Sequence, residues 1–500
     1  MNKNQDSILF VADQPWQIRI FMAAVEVINR KNPDLDCVIL FSDYYTFLHQ
    51  EELMRELDTK KIKYQTMSHL FREWQDKSEP VLSNELREKF EKLFQNVDLL
   101  SRLEKTNPWI FGDERNSYYL KMSDSWKEKI FLDTLEWSLQ TIVDVAPTLI
   151  VSLERSTLPN NAIFEISKIM NIPHRCLIPA RIDNYWYVRK DFGRQITEDF
   201  AREVLERDIS ADVLDQVNLW VDKFLSQKIG SYRSLEEEMI RELPQGDISD
   251  FFAYLSEGFK LAKKAYARIF ERRHITFKIR RLEQSLLKLT YFQFRQFFLR
   301  SLFSLHIWRP FEKSETSEEY FLWALHARPE GSVLALNNGR DEIEQVLSFA
   351  QNLPIGSVLL VKENIEMLGL RKRGFYKLFS KNDRIRIISP EENLADLVPN
   401  CAGIIGISGT FLLEGAIYGK PVFALGDPEF KFLLSNGSVL NEKFFISYAL
   451  SKQIVTTTEP VKKYLAYVFE VGFDLGFSMF DNRAFSQESS IVKEIVKLVT

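Results

Sequence analysis

Short apolar runs closed by small or polar turns, each followed by a stretch of helical period, recur along this chain. Ser7–Ala12 is apolar after its first residue, the pattern of a strand buried on both faces. Asp13-Gln14-Pro15-Trp16 then opens an amphipathic helix to about residue 30, and Cys37 to Phe41 supply a second strand, so the chain begins as a βαβ unit. Strand 147–153, helix 161–170 and strand 172–178 repeat the pattern, and helices between about 50 and 145 interrupt it. From about 195 to 312 the sequence is helical and rich in charge, with no strand pattern. A second α/β pattern starts at 320–325, continues with strands 357–361 and 385–388, and ends in a strand pair that flanks Ser408. The fold class is therefore α/β: two Rossmann-like domains, 1–194 and 320–480, with a helical insertion at 195–319 and a terminal helix in 481–500. In open α/β folds ligands bind at the carboxyl ends of the strands, so a cleft between the two domains is the expected binding place.

The most specific segment runs from Asn400 to Gly426. An apolar strand delivers Ser408-Gly409-Thr410 to the sheet edge, where two hydroxyls and the N–H groups that open the next helix can face an anion. Gly409 keeps a Cβ out of the approach, and Gly419-Lys420-Pro421 ends the helix and starts the next strand. An ordinary structural turn is the alternative reading. Gly415 to Lys420 has one residue too few between its glycines for a P-loop, and Pro421 stands where Ser or Thr would hold magnesium. No G-x-G-x-x-G occurs, which removes the main argument for a dinucleotide cofactor.

Composition narrows the class without changing this picture. A chain of 500 residues, 45% hydrophobic and 27% charged, exceeds what one core serves, and a net charge of −5 gives no global attraction to nucleic acid. Three widely spaced cysteines, Cys37, Cys176 and Cys401, sit in apolar settings and read as reduced core residues. The first strand follows Met1 without an apolar signal core, and no uncharged apolar run is long enough to span a bilayer, so a cytoplasmic location is expected. The histidines show no ligand spacing, and Asp34-Leu35-Asp36 precedes its strand, as a surface turn does; metal-independent chemistry follows.

Four groups in the second domain fall at strand ends. Arg328 can clamp a phosphate, and Glu330 can act as base or accept from a hydroxyl. Val361-Lys362-Glu363-Asn364 follows the next strand, with Gly369 and Arg371 behind it; alone it reads as ordinary solvated charge. Ser389-Pro390 reads as a capped helix start. The fourth is Ser408-Gly409-Thr410 with Glu414 one turn later. Between 271 and 313, basic residues such as Arg272, Arg280, Arg295, Arg300 and Arg309 interleave with Phe298, Phe303 and Trp308. That composition suits a helix lying on anionic lipid, and equally a helix buried at a domain junction.

With these groups in order, residues 320–430 resemble the bacterial capsule and surface polysaccharide glycosyltransferases, the family that includes the Kdo transferases. The elements are Ala327-Arg328-Pro329-Glu330, Val361-Lys362-Glu363-Asn364-Ile365, Gly369-Leu370-Arg371, and Ser408-Gly409-Thr410 through Glu414, Gly419, Lys420, Pro421 and Val422. The last block is shared with UDP-GlcNAc 2-epimerases. Arg328 stands in place of the family's usual Gln, Gly415 in place of Ala, and Asn364-Ile365 in place of His-Pro. The resemblance implies a GT-B glycosyltransferase whose second domain binds a nucleotide sugar, a CMP-linked ulosonic acid first and a UDP-sugar second. Ser408, Gly409 and Thr410 would hold its phosphate, Lys362, Arg328 and Asn364 would meet its charge, and Glu330 or Glu414 would take nucleotide hydroxyls. Asp13 and Glu154, after strands of the first domain, are the nominated acceptor-side groups. The acceptor would be a glycan or lipid-linked glycan, reached at the inner face of the membrane through 271–313. No cofactor and no nucleic acid partner are expected. A sugar-nucleotide epimerase on the same fold, or a catalytically silent homologue that binds a glycan or another enzyme, are the alternatives.

Overall fold

In the computed structural model the residues described are 6–12, 14–41, 50–67, 69–70, 73, 82–95, 103, 124–153, 158–190, 197–227, 286–327, 341–371, 373–435, 441–451, 457–476 and 485–500. Among them the strands, in chain order, are β1 (Ser7–Ala12), β2 (Asp36–Phe41), β3 (Lys63–Thr66), β4 (Leu149–Leu153), β5 (His174–Pro179), β6 (Tyr185–Arg189), β7 (Glu319–Ala324), β8 (Ser357–Lys362), β9 (Ile385–Ile388), β10 (Gly403–Gly406), β11 (Val422–Ala424) and β12 (Phe473–Asp474). The chain divides into two units: Met1–Ile110 with Met122–Arg194 and Val468–Thr500, and Phe111–Lys121 with Gln195–Tyr467.

The first unit holds a sheet of order β12-β6-β5-β4-β1-β2-β3, parallel from β5 to β3, with β6 and β12 antiparallel at the other edge. Leu9, Phe10 and Val11 are fully buried, as an apolar run between two layers of helices requires. Helix Pro15–Lys31 lays Ile18, Phe21, Met22, Val25 and Ile28 into a core that also takes Ile491, Val492, Ile495 and Val496 of helix Ser490–Val499. The end of the chain thus belongs with the first unit: Val468–Thr500 leaves the second unit, adds β12 to β6, and closes on the first helix. The apolar stripe of that terminal helix is what needs cover. Asp36, the last residue of the D-x-D sequence, is the first of β2 and pairs with Lys63 at 2.8 Å.

The second unit holds a wholly parallel sheet of order β11-β10-β7-β8-β9. The chain winds outward from β7 through β8 to β9, then returns to the other side of β7 for β10 and β11. Its direction of winding therefore reverses between β7 and β10. Phe321, Trp323, Phe349, Phe375, Phe379 and Phe445 fill one face. Helices Glu198–Leu205 and Ala211–Gln227 join this unit through Phe200 against Phe432 and Tyr467, and Phe224 against Tyr418.

The basic, aromatic stretch 271–313 is described from residue 286 onward, and there it differs from a lipid-facing helix. Helix Leu286–Ser304 packs so closely that Gly369, with φ of +82°, would carry a Cβ 3.0 Å from the Gln296 backbone. Arg295 donates to the carbonyls of Gly369 and Arg371, both at 2.8 Å, and Arg300 donates to those of Leu368, Ile365 and Glu366. Arg309 forks onto Glu391, and Phe303 is buried with Ile365 and Leu368. The Arg295 and Arg300 guanidinium groups thus cap the carbonyls of the 365–371 loop. Among the described residues no helix is long and apolar enough to cross a membrane.

All three cysteines are buried and unpaired with one another. The Cys37 thiol is pushed up to about 12, by burial and then by the adjacent Asp36 carboxylate, and burial pushes Cys401 up to about 12 as well. Since the thiolate is the nucleophile, a thiol reagent at pH 8 should leave both unmodified in the native protein and label them on unfolding, as intact mass reports. The raised folded values also fix a sign. The folded state keeps protons that the unfolded state releases above 9.0, so stability should fall as pH rises from about 9 toward 12. Fast native labelling would contradict the burial.

Candidate functional site

The carboxyl ends of β10, β7 and β8 stand side by side; β10 and β8 deliver the nominated Ser408 and Lys362, and β7 leads to His326. β8 ends in Lys362, which is buried; its neighbour in register on β7 is Ala324, and the ladder continues with Leu325 N–H donating to the Lys362 carbonyl at 2.9 Å. β10 runs into Ser408, 1% exposed, and Gly409, which caps helix Thr410–Ile417. That cap has extended φ and ψ and, being glycine, has no side chain to bond the first turn, while the Leu412 N–H returns to the Gly409 carbonyl at 3.0 Å. Gly409 is therefore not there for backbone strain. A Cβ there would stand 3.4 Å from Nε2 of His326, about contact distance, which places the imidazole against the turn.

His326, just past β7, is held by Glu342 at the start of helix Glu342–Gln351. Oε1 of Glu342 lies 2.8 Å from His326 Nδ1, accepts the His326 backbone N–H at 3.2 Å, and accepts Trp323 Nε1–H at 3.4 Å. Both residues are buried. A carboxylate at Nδ1 places a proton there and turns Nε2 toward the Ser408-Gly409-Thr410 turn. The imidazole and the start of helix Thr410–Ile417 thus meet at the point where the sheet reverses direction.

A second buried cluster supports the first. Glu363 and Arg371 are 1% and 2% exposed and form a forked pair, with Arg371 Nη2 to Glu363 Oε1 at 2.7 Å. Tyr376 donates its hydroxyl to Glu363 at 2.9 Å, the Asn364 N–H donates to it at 2.7 Å, and Arg371 also donates to the carbonyl of His326 at 3.3 Å. The guanidinium lies 4.7 Å from the Phe375 ring centre. Lys362-Glu363 is accordingly not a solvated charge pair, as its composition suggested, but buried, and Arg371 joins Glu363 to the loop after β7.

Of the other nominated residues, Asn364 caps a short turn, its side-chain oxygen accepting from Glu366 N–H at 2.9 Å. Glu414 lies one turn into helix Thr410–Ile417, half-buried. Lys420 donates to the carbonyls of Pro399 and Cys401, at the opposite end of β10 from the turn. Ser389 accepts from Glu391 N–H in a local turn, and the helix that follows is capped by Asn393 instead. Arg328 and Glu330 lie outside the described residues, as do Asp13 and Glu154. The strands that precede the last two, β1 and β4, are neighbours, and Gln17 Nε2–H donates to the Leu153 carbonyl at 2.9 Å across their ends.

No family model matches the chain, and no curated protein matches it. Among solved structures, the Thermosulfurimonas dismutans KpsC beta Kdo 2,4 transferase is 11% identical, with 70% of this chain and 87% of that one covered and a TM-score of 0.36. The beta Kdo 2,7 transferase of the same KpsC is 10% identical over 76% and 98%, with a TM-score of 0.34. The Neisseria meningitidis UDP-GlcNAc 2-epimerase bound to UDP-GlcNAc is 13% identical over 93% and 98%, with a TM-score of 0.28. Similarity at this level carries no information on substrate or reaction, which has to come from this chain's own side chains.

Proposed function

We propose that the second unit binds the phosphates of a nucleotide sugar between β7 and β10, and that the protein is a glycosyltransferase. The observation that carries this reading is the placement of His326 Nε2 against the Ser408-Gly409-Thr410 turn, at the start of helix Thr410–Ile417. Donors fixed before the reaction stabilise charge that develops on a departing nucleotide without cost of reorganisation. Ser408 and Thr410 would donate to the phosphate, Lys362 would offset its charge from β8, and Glu414 would take nucleotide hydroxyls. Arg328, Glu330 and Asn364 keep their nominated roles around the nucleotide, and Asp13 and Glu154 theirs on the acceptor side. A CMP-linked ulosonic acid is the first donor and a UDP-sugar the second; the acceptor is a glycan or lipid-linked glycan.

A thermal-shift screen of CMP, UDP and GDP and their sugar conjugates tests binding, since a ligand at 100 times its Kd stabilises by about 2.7 kcal/mol. Replacing Ser408 and Thr410 together by Ala should weaken the nucleotide by roughly 1–3 kcal/mol, the worth of hydrogen bonds to a charged group. Unchanged affinity in that double variant would overturn the placement. Nucleotide release only with acceptor supports transfer, and it should survive EDTA. Sugar inversion without acceptor would make the protein an epimerase, and no nucleotide binding at all would make it a silent homologue.

A further inference from the structure

The first unit contains a cavity that none of these roles uses. It measures about 560 Å³, within the roughly 300–1,000 Å³ of small-molecule sites, and lies between the end of edge strand β3 at Thr66 and one face of helix Asp124–Val145. That face presents Asp133, Glu136, Trp137, Gln140, Thr141 and Asp144. At first sight it is an acidic pocket made for a cation. The carboxylates, however, already have partners from the protein: Asp133 pairs with Lys129 at 2.8 Å, Glu136 with Lys89 at 2.7 Å, and Asp144 accepts from Gln140 at 2.7 Å.

Glu73 also lines the cavity and is likewise engaged, and His69 stands beside two neutral groups. Thr141 is 2% exposed and Trp137 7%, yet among the described residues neither the threonine hydroxyl nor the indole N–H has a hydrogen-bond partner. The two preceding hydroxyls of the same helix, Thr134 and Ser138, both bond back to backbone carbonyls, so the vacancy at Thr141 is a departure from the helix's own habit. Both groups open onto the cavity, where a ligand that supplies an acceptor and a donor would meet them together. A sugar hydroxyl is both at once, and the carboxylate oxygens and the Gln140 amide at the rim suit further hydroxyls.

We infer that this cavity is a binding site for a neutral, polyhydroxylated ligand, a saccharide of one or two rings. Its name as an acceptor subsite rests on the glycosyl-transfer reading; its binding does not, and is measured without nucleotide. Saturation-transfer NMR on the full chain with galactose, N-acetylglucosamine, lactose and maltose should give signals from at least one sugar. Thr141→Val, which keeps shape and removes the hydroxyl, and Trp137→Phe, which removes the N–H, should each weaken it about fivefold, the worth of one net hydrogen bond. Gln140→Ala at the exposed rim, where folding is not at risk, should weaken it as well, and nucleotide thermal shifts should stay as in wild type. The assignment is overturned if no sugar gives a signal, if the signal is indifferent to all three variants, or if spermidine displaces the sugar and so reveals a cation site.

Discussion

Replacing Arg371 by Ala is expected to destabilise the second unit by about 3–5 kcal/mol, the range for breaking a buried ion pair from one side. The magnitude follows from what stays behind. Glu363, 1% exposed, would keep the Tyr376 hydroxyl and the Asn364 N–H but lose the forked guanidinium. Arg371 is itself fixed by Arg295, which holds its carbonyl at 2.8 Å, so the side chain's position is set by the helix behind it. Because the chain has two units, one overall unfolding midpoint does not isolate this loss; hydrogen exchange of the β7 and β8 amides does. A double variant, Glu363→Gln with Arg371→Met, should lose less than Arg371→Met alone, since no charge is then left buried. Exchange rates in Arg371→Ala equal to wild type would show that the pair contributes nothing net.

The parts of this fold that the sequence made legible are those where one physical signal dominates. β1, β2, β7 and β8 are unbroken apolar runs because both faces of each are covered, and nothing else writes that pattern. β3 lies at the edge, half-buried, and β12 has two residues; their composition does not separate them from loop. The Ser408 turn was readable because strand, small residues and helix follow one another locally. His326 with Glu342 was not: the partners are 16 residues apart, and an acid in a first helical turn reads as an ordinary complement to the helix dipole. The basic, aromatic helix was ambiguous for a different reason. Arginines that cap inward-facing carbonyls and arginines that meet anionic lipid have the same composition, and only the approach of Gly369 to Gln296 separates the two. The Glu363–Arg371 pair, eight residues apart, looked like surface charge for want of any local sign of burial.

The largest effect on ligand binding is expected at Glu342, a residue that touches no nucleotide in this reading. Three described donors converge on its Oε1: the His326 ring at 2.8 Å, the His326 backbone and the Trp323 indole. Glu342→Ala strands them in a buried place, at roughly 1–3 kcal/mol for each group left unsatisfied, and frees the imidazole to turn away from the Ser408-Gly409-Thr410 turn. Nucleotide affinity should then drop about tenfold or more, as for the loss of one hydrogen bond between a charged phosphate and a positioned donor. Glu342→Gln separates the two duties of the carboxylate, because it keeps an oxygen where the donors converge and removes only the charge. It should hold the His326 ring in place, and its nucleotide affinity should fall between wild type and Glu342→Ala. A crystal structure of Glu342→Gln with nucleotide bound, or the His326 ring signals in NMR, would report the orientation directly. If Glu342→Ala stays folded and binds nucleotide as wild type does, His326 does not face the phosphate, and the crevice between β7 and β10 is not the seat proposed for it.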